Sequence, residues 1–394
     1  MVAELSALQQ IINALTGLNG LWAVIAQCIV TTIYTSLGGF RISFITDNIQ
    51  GAMVVGLIIL GVITVGVKTN VDRNLVESSG LLGASLLGWQ LMYILPVAIL
   101  TNDFFISGFW MRTFASKTDR DLRIGTSVAT VVVAIILTLV GVSGLLAAWT
   151  GAWPGDPPQL GSIALFLLLE QLPAWVVGIV VVMTVSLSTA AFDSLQSAMI
   201  STGSNDLFRN QLNFWWIRLA VIVLIFPVAV VALRSPSVLQ IYLISDLVSA
   251  SSIPVLVIGL SSKCYWWRGL EVVVGGLGGL LTVFIFGTIY YGNAQDGANL
   301  LLLEQSLYVD DWSAFGAFLA APVGGLLWGF GAFALRISVQ WILARVRGHR
   351  FDALDRPPVS DPSFLTQPRE RSADEDHQEP SPVVKASSLK GKFL

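Results

Sequence analysis

The chain has 394 residues, of which 54% are hydrophobic and 12% charged, and its mean hydropathy is +0.74. Soluble domains carry about 25% charged residues, so this composition excludes a soluble fold and predicts a polytopic membrane protein. The formal net charge of −3 identifies no partner, because the positions of charges matter more than their sum in such proteins. His349 and His377 follow the last apolar stretch, which excludes a histidine-based site inside the membrane.

Apolar stretches of membrane-spanning length follow one another along most of the chain. Residues 1–17 form an amphipathic segment that is too short to span. A first span at residues 20–38 is predicted to end at Gly38-Gly39, since glycine commonly stops a helix. Eight further spans are predicted at residues 42–67, 80–101, 125–149, 174–203, 213–233, 237–261, 269–291 and 312–343. Pro96 interrupts the span at 80–101, and a shorter apolar piece follows at 104–115.

The composition changes near residue 346, where the chain becomes polar, rich in Pro and Ser, and mixed in charge. Such a segment cannot bury enough apolar surface to fold on its own. We therefore predict a transmembrane domain at residues 1–345, with about nine spans plus a partial first helix, and a disordered tail at residues 346–394.

The basic residues divide unevenly between the two sets of alternating loops. One set holds Arg41, Arg112, Lys117, Arg120, Arg123, Arg209, Arg218, Lys263, Arg268, Arg345, Arg347 and Arg350. The opposite set holds only Lys68, Arg73 and Arg234. Because cytoplasmic loops carry the excess of Lys and Arg, the first set and the tail are predicted to be cytoplasmic, and the membrane is predicted to be the plasma membrane.

The stretch TVSLSTAAFDSLQSAMISTGSND, at residues 184–206, concentrates serine and threonine hydroxyls and one aspartate inside a predicted span. A carboxylate at bilayer depth is costly and is rarely kept without a function. The stretch therefore predicts a cation site that includes Ser188, Thr189 and Asp193. The alternative is that the hydroxyl residues are present because small side chains allow close helix packing.

A second intramembrane carboxylate, Asp47, lies one to two turns into the span at 42–67. It is either an interfacial charge balanced by Arg41 or a buried acid on an ion or proton path. We predict it as a further cation ligand.

These motifs together resemble the solute:sodium symporter family. The resemblance covers about residues 1–290 and depends on three segments that occur in the family's order and spacing. The first segment contains Tyr34-Thr35, Gly38-Gly39, Thr46-Asp47 and Gln50. The second is FWMRTFASK, in which Met111-Arg112 stands where the family has Gln-Arg. The third is the Ser/Thr-rich helix that ends in Asn205-Asp206.

The resemblance implies an all-α, polytopic membrane fold with a transporter core of five plus five helices in inverted repeats. Two extra helices follow at the C-terminal end. The chain is expected to begin midway through the third core helix, which makes the core incomplete and the chain an N-terminally truncated member. The first core helix, which in the family supplies backbone carbonyls to sodium, has no expected counterpart.

The hydroxyl pair in the Ser/Thr-rich helix departs from the family pattern. Counting back from Asp206 puts Ala190-Ala191 where the family has two hydroxyl residues, and Ser188-Thr189 lies two residues earlier. Two residues turn an α-helix by about 200°, so either a local bulge restores the pair or the site is altered. In the family, the helices that hold Asp47 and Asp193 lie near each other. Two carboxylates there would bind sodium or share a proton.

Substrate contacts are predicted on the segment around Pro96, which resembles the discontinuous first helix of the second repeat. Broken helices direct backbone dipoles at ligands. The predicted substrate-path residues are Trp89, Gln90, Tyr93, Asn102, Asp103 and Asp246. The aromatic residues are alternatively core or interface residues, and Asp246 with its neighbouring serines alternatively joins helices.

The sequence therefore predicts a secondary active transporter that carries a small polar solute across the lipid bilayer by symport, with Na⁺ or H⁺ as the coupling ion. It predicts no enzyme activity, no further cofactor or metal and no nucleic-acid partner. Substrate identity and oligomeric state stay open. The alternative is a truncated or degenerate symporter that acts as a non-transporting membrane scaffold or sensor, or an inactive fragment.

Overall fold

The computed structural model describes residues 1–114, 116–155, 161–209, 211–234, 237–261, 263–303, 307, 311–351 and 354–355. At residues 36–45, 47, 64, 68, 111, 112 and 214 it describes the backbone alone. Most of the tail predicted at residues 346–394 lies outside this part of the chain.

The described residues form α-helices and no strand, which confirms the all-α prediction. The helices are α1 (Val2–Thr16), α2 (Leu21–Lys68), α3 (Arg73–Ser79), α4 (Leu86–Phe105), α5 (Ser107–Phe114), α6 (Asp119–Trp149), α7 (Ala164–Glu170), α8 (Ala174–Thr202), α9 (Phe214–Arg234), α10 (Val238–Leu260), α11 (Gly269–Tyr291), α12 (Ala294–Leu302) and α13 (Ser313–Arg347). A π-helical turn, Gly203–Leu207, extends α8.

Seven stretches of the described helices are long and apolar enough to cross a membrane, which confirms a polytopic membrane protein. They lie in the second half of α2 and in α6, α8, α9, α10, α11 and α13. Two of the nine predicted spans are not among the seven. The first half of α2 has a shorter apolar stretch, Leu21–Thr35, and α4 contains the polar sequence Thr101-Asn102-Asp103 in its last turns.

Gly38-Gly39 does not end a helix, and this prediction was wrong. Helix α2 continues from Leu21 to Lys68, whereas Gly17 ends α1 in the left-handed conformation that is common at helix ends. Helix α2 is nevertheless not straight. Tyr34 and Thr46 would be about 18 Å apart along a straight helix, yet both hydroxyls contact the same Asp193 oxygen.

The contacts of α2 with α8 show that its two halves run in opposite directions. In the first half, Gln27 meets Ser188 and Thr32 meets Gln196, so both residue numbers rise together. In the second half, Thr46 meets Asp193, whereas Gly56 lies near Met183. Helix α2 therefore folds back along α8 between Tyr34 and Thr46.

The predicted interruption at Pro96 was also wrong. Pro96 lies inside α4, and the helix ends nine residues later at Phe105, after which Ile106 has an extended backbone before α5. Proline removes one backbone hydrogen bond but can remain in a helix whose neighbours hold its axis. Residues Tyr93, Leu91 and Val97 of α4 pack on a core formed with α10, α11, α12 and α13.

The interfaces of α10, α11 and α13 use glycine for close approach. A Cβ atom on Gly325 would lie 2.3 Å from the Ser251 carbonyl oxygen, and one on Gly275 would lie 2.8 Å from the Gly325 carbonyl oxygen. Small residues let membrane helices pack backbone against backbone. At one end of this unit, buried Glu271 pairs with Arg336 and joins α11 to α13.

Candidate functional site

The polar surface between α2 and α8 contains the most buried aspartate among the described residues. Asp193 lies in the second half of α8 and is fully buried. Its Oδ2 accepts a hydrogen bond of 2.5 Å from the Tyr34 hydroxyl and one of 3.3 Å from the Thr46 hydroxyl. The fold-back of α2 brings these two donors, twelve residues apart in sequence, to one carboxylate.

Ser188 and Thr189, the other predicted ligands on α8, engage different partners. The Ser188 hydroxyl is 3.0 Å from the Gln27 amide nitrogen, which donates to it across the interface. The Thr189 hydroxyl donates to the Val185 carbonyl oxygen of its own helix at 2.7 Å. Neighbouring helical residues point about 100° apart, so the two hydroxyls do not face one common ligand position. Each hydroxyl oxygen nevertheless keeps a lone pair that can accept a further bond.

Several buried oxygens along this interface have no hydrogen-bond partner among the described residues. They belong to side chains that are at least nine-tenths buried: Gln27 Oε1, Thr35 Oγ1, Thr184 Oγ1, Gln196 Oε1 and Ser197 Oγ. Each such atom costs about 1–3 kcal/mol if it stays unsatisfied. Oxygen is also the ligand type that hard cations prefer. The interface thus has the chemistry to take up water or a cation.

Sequence analysis did not identify Gln27, Thr184, Gln196 and Ser197 as site residues. A signal was present, since Gln27, Thr31 and Thr35 recur every four residues and therefore share one face of an otherwise apolar helix. On α8, Thr184, Ser188 and Gln196 likewise share a face, and the two faces meet.

Asp47 belongs to the second half of α2, on the turn that contains Thr46. Its side chain lies outside the part of the chain that the structure describes, so its role as a cation ligand stays a prediction. The same holds for Arg41, the residue with which one interpretation paired it.

The predicted substrate-path residues divide into two groups on α4. Trp89, Gln90 and Tyr93 lie near its beginning, where Trp89 is 66% exposed on the outside of the helix bundle. Gln90 is buried, and its Nε2 donates to the Asp311 carbonyl oxygen at 2.8 Å. Tyr93 packs on Phe315 with a centroid separation of 5.2 Å. Gln90 and Tyr93 therefore hold α4 against α13.

The second group gathers where the end of α4 meets α10. Asn102 Oδ1 accepts from the Ser245 hydroxyl at 3.3 Å, and Asp103 is close enough to Asp246 for their charges to repel. Glu4 of α1 lies in the same region. The Tyr242 hydroxyl donates to Glu4 Oε1 at 2.6 Å, and Tyr242 is also close enough to Asp246 to interact with its charge. Three helices thus contribute carboxylates to one polar region.

The fold and these polar interfaces define a helical membrane protein with buried hydrophilic surfaces inside its bundle, the general class of membrane transporters. No protein-family model matches the chain. A spermidine transporter of Candida albicans is 52% identical over 361 residues, which cover 91% of this chain and 69% of that transporter. The chain therefore belongs to the same transporter family as that protein.

Proposed function

We propose that the protein is a secondary transporter that moves a polyamine, such as spermidine, across a membrane by cation-coupled symport. The observation that carries the proposal is the 52% identity to a spermidine transporter over 91% of the chain. The resemblance of the Tyr34–Gln50 segment and of α8 to the solute:sodium symporters supports coupling to Na⁺ or H⁺.

The acidic region formed by Glu4, Asp103 and Asp246 supports a cationic substrate. Polyamine nitrogens are protonated at neutral pH, as a lysine amine is. Asp103 is the third residue from the end of α4, where the helix dipole is already negative and a cation is favoured. Tyr242 and Asn102 add neutral hydrogen-bonding groups beside the carboxylates. In this proposal the region binds the substrate's ammonium groups.

The α2–α8 interface supports a coupling-ion site beside Asp193. A fully buried carboxylate near the unpartnered Thr35, Gln196 and Ser197 oxygens offers the hard oxygen ligands that Na⁺ requires. Proton coupling would use the Asp193 carboxylate itself. In this proposal Asp47, Ser188 and Thr189 complete the ion path.

Uptake of radiolabelled spermidine by cells that lack polyamine transport tests the function. Cells that produce the full chain should show saturable uptake, and Asp193→Asn should abolish it, whereas Glu77→Gln, an exposed change on α3, should not. Uptake that needs Na⁺ identifies sodium as the coupling ion, and uptake that follows only the pH gradient identifies protons. Uptake no higher than in control cells, with the chain present in the membrane, would contradict transport and favour the scaffold or sensor alternative.

The substrate region has its own test, Asp246→Asn. Removing one charge-assisted contact to an ammonium group costs about 1.5–3 kcal/mol, so the KM for spermidine should rise by at least about tenfold. Asp121→Asn, an exposed change at the start of α6, is the matched control and should leave KM unchanged. An unaltered KM in Asp246→Asn would remove this region from the substrate path.

A further inference from the structure

An open groove of about 720 Å³ runs along the outer surface between α11 and α13. Both helices are long and apolar enough to span the membrane. Six of the residues that line the groove are Leu270, Val274, Trp328, Gly331, Leu335 and Val339. Leu335 is 67% exposed, so the groove faces the surroundings of the bundle and not its interior.

Two glycines shape the groove. A Cβ atom on Gly278 would clash with Trp328 Cγ, so only glycine lets the indole approach α11 this closely. The indole nitrogen of Trp328 also donates to the Thr282 hydroxyl at 3.2 Å, which fixes the ring as one wall. At Gly331 a Cβ atom would meet nothing within 4 Å, so the missing side chain leaves open space in the groove.

One end of the groove is polar and basic. Arg336 is paired there with Glu271 and donates to the Trp266 carbonyl oxygen at 2.7 Å, so its charge is compensated within the bundle. The exposed Arg268 immediately precedes α11, two residues before the groove residue Leu270. Arg347 follows Gln340, another lining residue, by seven residues and therefore lies on the same face of α13.

We propose that this groove binds an anionic phospholipid of the bilayer. An acyl chain lies along the apolar walls, and the headgroup phosphate lies at the end that carries Arg268 and Arg347. The apolar length matches a hydrocarbon chain, and the basic end matches an anionic headgroup, which gains roughly 1 kcal/mol from each nearby Lys or Arg. The proposal does not depend on which solute the protein carries.

Native mass spectrometry of the purified full chain tests the proposal by counting the lipids it retains. Phosphatidylserine and phosphatidylcholine with identical acyl chains are titrated separately. We expect one phosphatidylserine to be retained about thirtyfold more tightly than phosphatidylcholine, since two arginines contribute roughly 1 kcal/mol each. Gly331→Leu, which fills the groove, should abolish this retained lipid, whereas Gly141→Leu should not, since Gly141 is an equally open glycine on the exposed surface of α6.

Arg268→Gln separates headgroup recognition from any effect on folding, because this side chain is exposed. It should lower the preference for phosphatidylserine to about fivefold, the contribution of Arg347 alone, and leave the binding of phosphatidylcholine unchanged. Equal retention by Gly331→Leu and Gly141→Leu, or no preference between the two lipids in the unaltered chain, would overturn the proposal. A dimer mass that Gly331→Leu abolishes would also overturn it, since the occupant would then be a second copy of the chain.

Discussion

At the scale of single residues, Asp193 shows how a membrane helix can keep a buried carboxylate. The side chain is fully buried, and two of its hydrogen-bond donors, Tyr34 and Thr46, come from the two halves of α2. Burying an ionised group without donors would cost several kcal/mol. The identity of residues 34 and 46 therefore matters as much to this site as the aspartate itself.

Tyr34→Phe should destabilise the protein, because it removes a donor to Asp193 and keeps the ring. Loss of the donor leaves a buried acceptor short of a partner, which costs about 1–3 kcal/mol. Thermal unfolding of the detergent-solubilised protein should detect a clearly lowered Tm. Tyr265→Phe removes an exposed hydroxyl that contacts the Leu354 carbonyl oxygen and serves as the control, with a small expected change. Equal Tm values for the two variants would mean that the Tyr34 contact contributes nothing to stability.

At the scale of elements, the fold-back of α2 decides which residues share a site. Its first half runs parallel to α8 and its second half antiparallel, so residues from both ends of a 48-residue helix lie on one partner. The sequence predicted two spans in this region. The second half of α2 is long and apolar enough to be one of them, whereas the first half has the shorter apolar stretch Leu21–Thr35. The sequence placed a helix end at Gly38-Gly39, where the backbone stays helical.

Cysteine cross-linking tests the fold-back, in a background in which Cys28 and Cys264 are replaced by alanine. Gln27→Cys with Ser188→Cys, and Gly56→Cys with Met183→Cys, should each be joined by a short bifunctional thiol reagent, because the two residues of each pair lie close together. A straight α2 would allow only one of the two. Val67→Cys with Ser188→Cys is the negative control, because Val67 lies eleven residues beyond Gly56, toward the beginning of α8.

The glycine contacts among α10, α11 and α13 give a second test at this scale. Gly325→Ala puts a methyl group 2.3 Å from the Ser251 carbonyl oxygen, and overpacking of this kind costs about 1–3 kcal/mol. Gly331→Ala on the same helix meets open space and should be neutral or slightly stabilising, since alanine favours helix over glycine. Unfolding in detergent should rank the two variants in this order. Similar stability would show that α10 and α13 can separate without cost.

At the scale of the whole molecule, the distribution of basic residues predicts the orientation in the membrane. Arg345 and Arg347 end α13, and Arg268 precedes α11, so the basic ends of both helices lie at one side of the bundle. An epitope placed after Leu394 should be accessible to antibody only in permeabilised cells. An epitope inserted after Asn293, before α12, should be accessible in intact cells. The reverse pattern would contradict the predicted cytoplasmic tail.

The positions of single helices could be predicted from the sequence more accurately than the contacts between them. The span at residues 269–291 coincides with α11, and those at 174–203, 213–233 and 237–261 end within one residue of α8, α9 and α10. Hydropathy sufficed there because a lipid environment requires long, continuous apolar stretches. At Pro96 it failed, because neighbouring helices hold the backbone helical despite a residue that weakens a helix in isolation. At Gly38-Gly39 the sequence predicted a helix end, whereas the reversal of direction is visible only in the contacts of the two halves of α2 with α8.

Sequence alone was enough to predict a helical membrane protein, the positions of most of its spans, and Asp193 as an unusual residue within one of them. These are local properties of apolar length and side-chain charge. The contacts of Asp193 with other helices are known only from the tertiary structure. The same is true of the grouping of Asn102, Asp103 and Asp246, away from Trp89, Gln90 and Tyr93. The groove between α11 and α13 is likewise a feature of the folded chain. Those features depend on contacts between residues far apart in the chain, such as Tyr34 and Asp193, and on how closely glycine lets helices approach. Neither can be obtained from the periodicity of one segment.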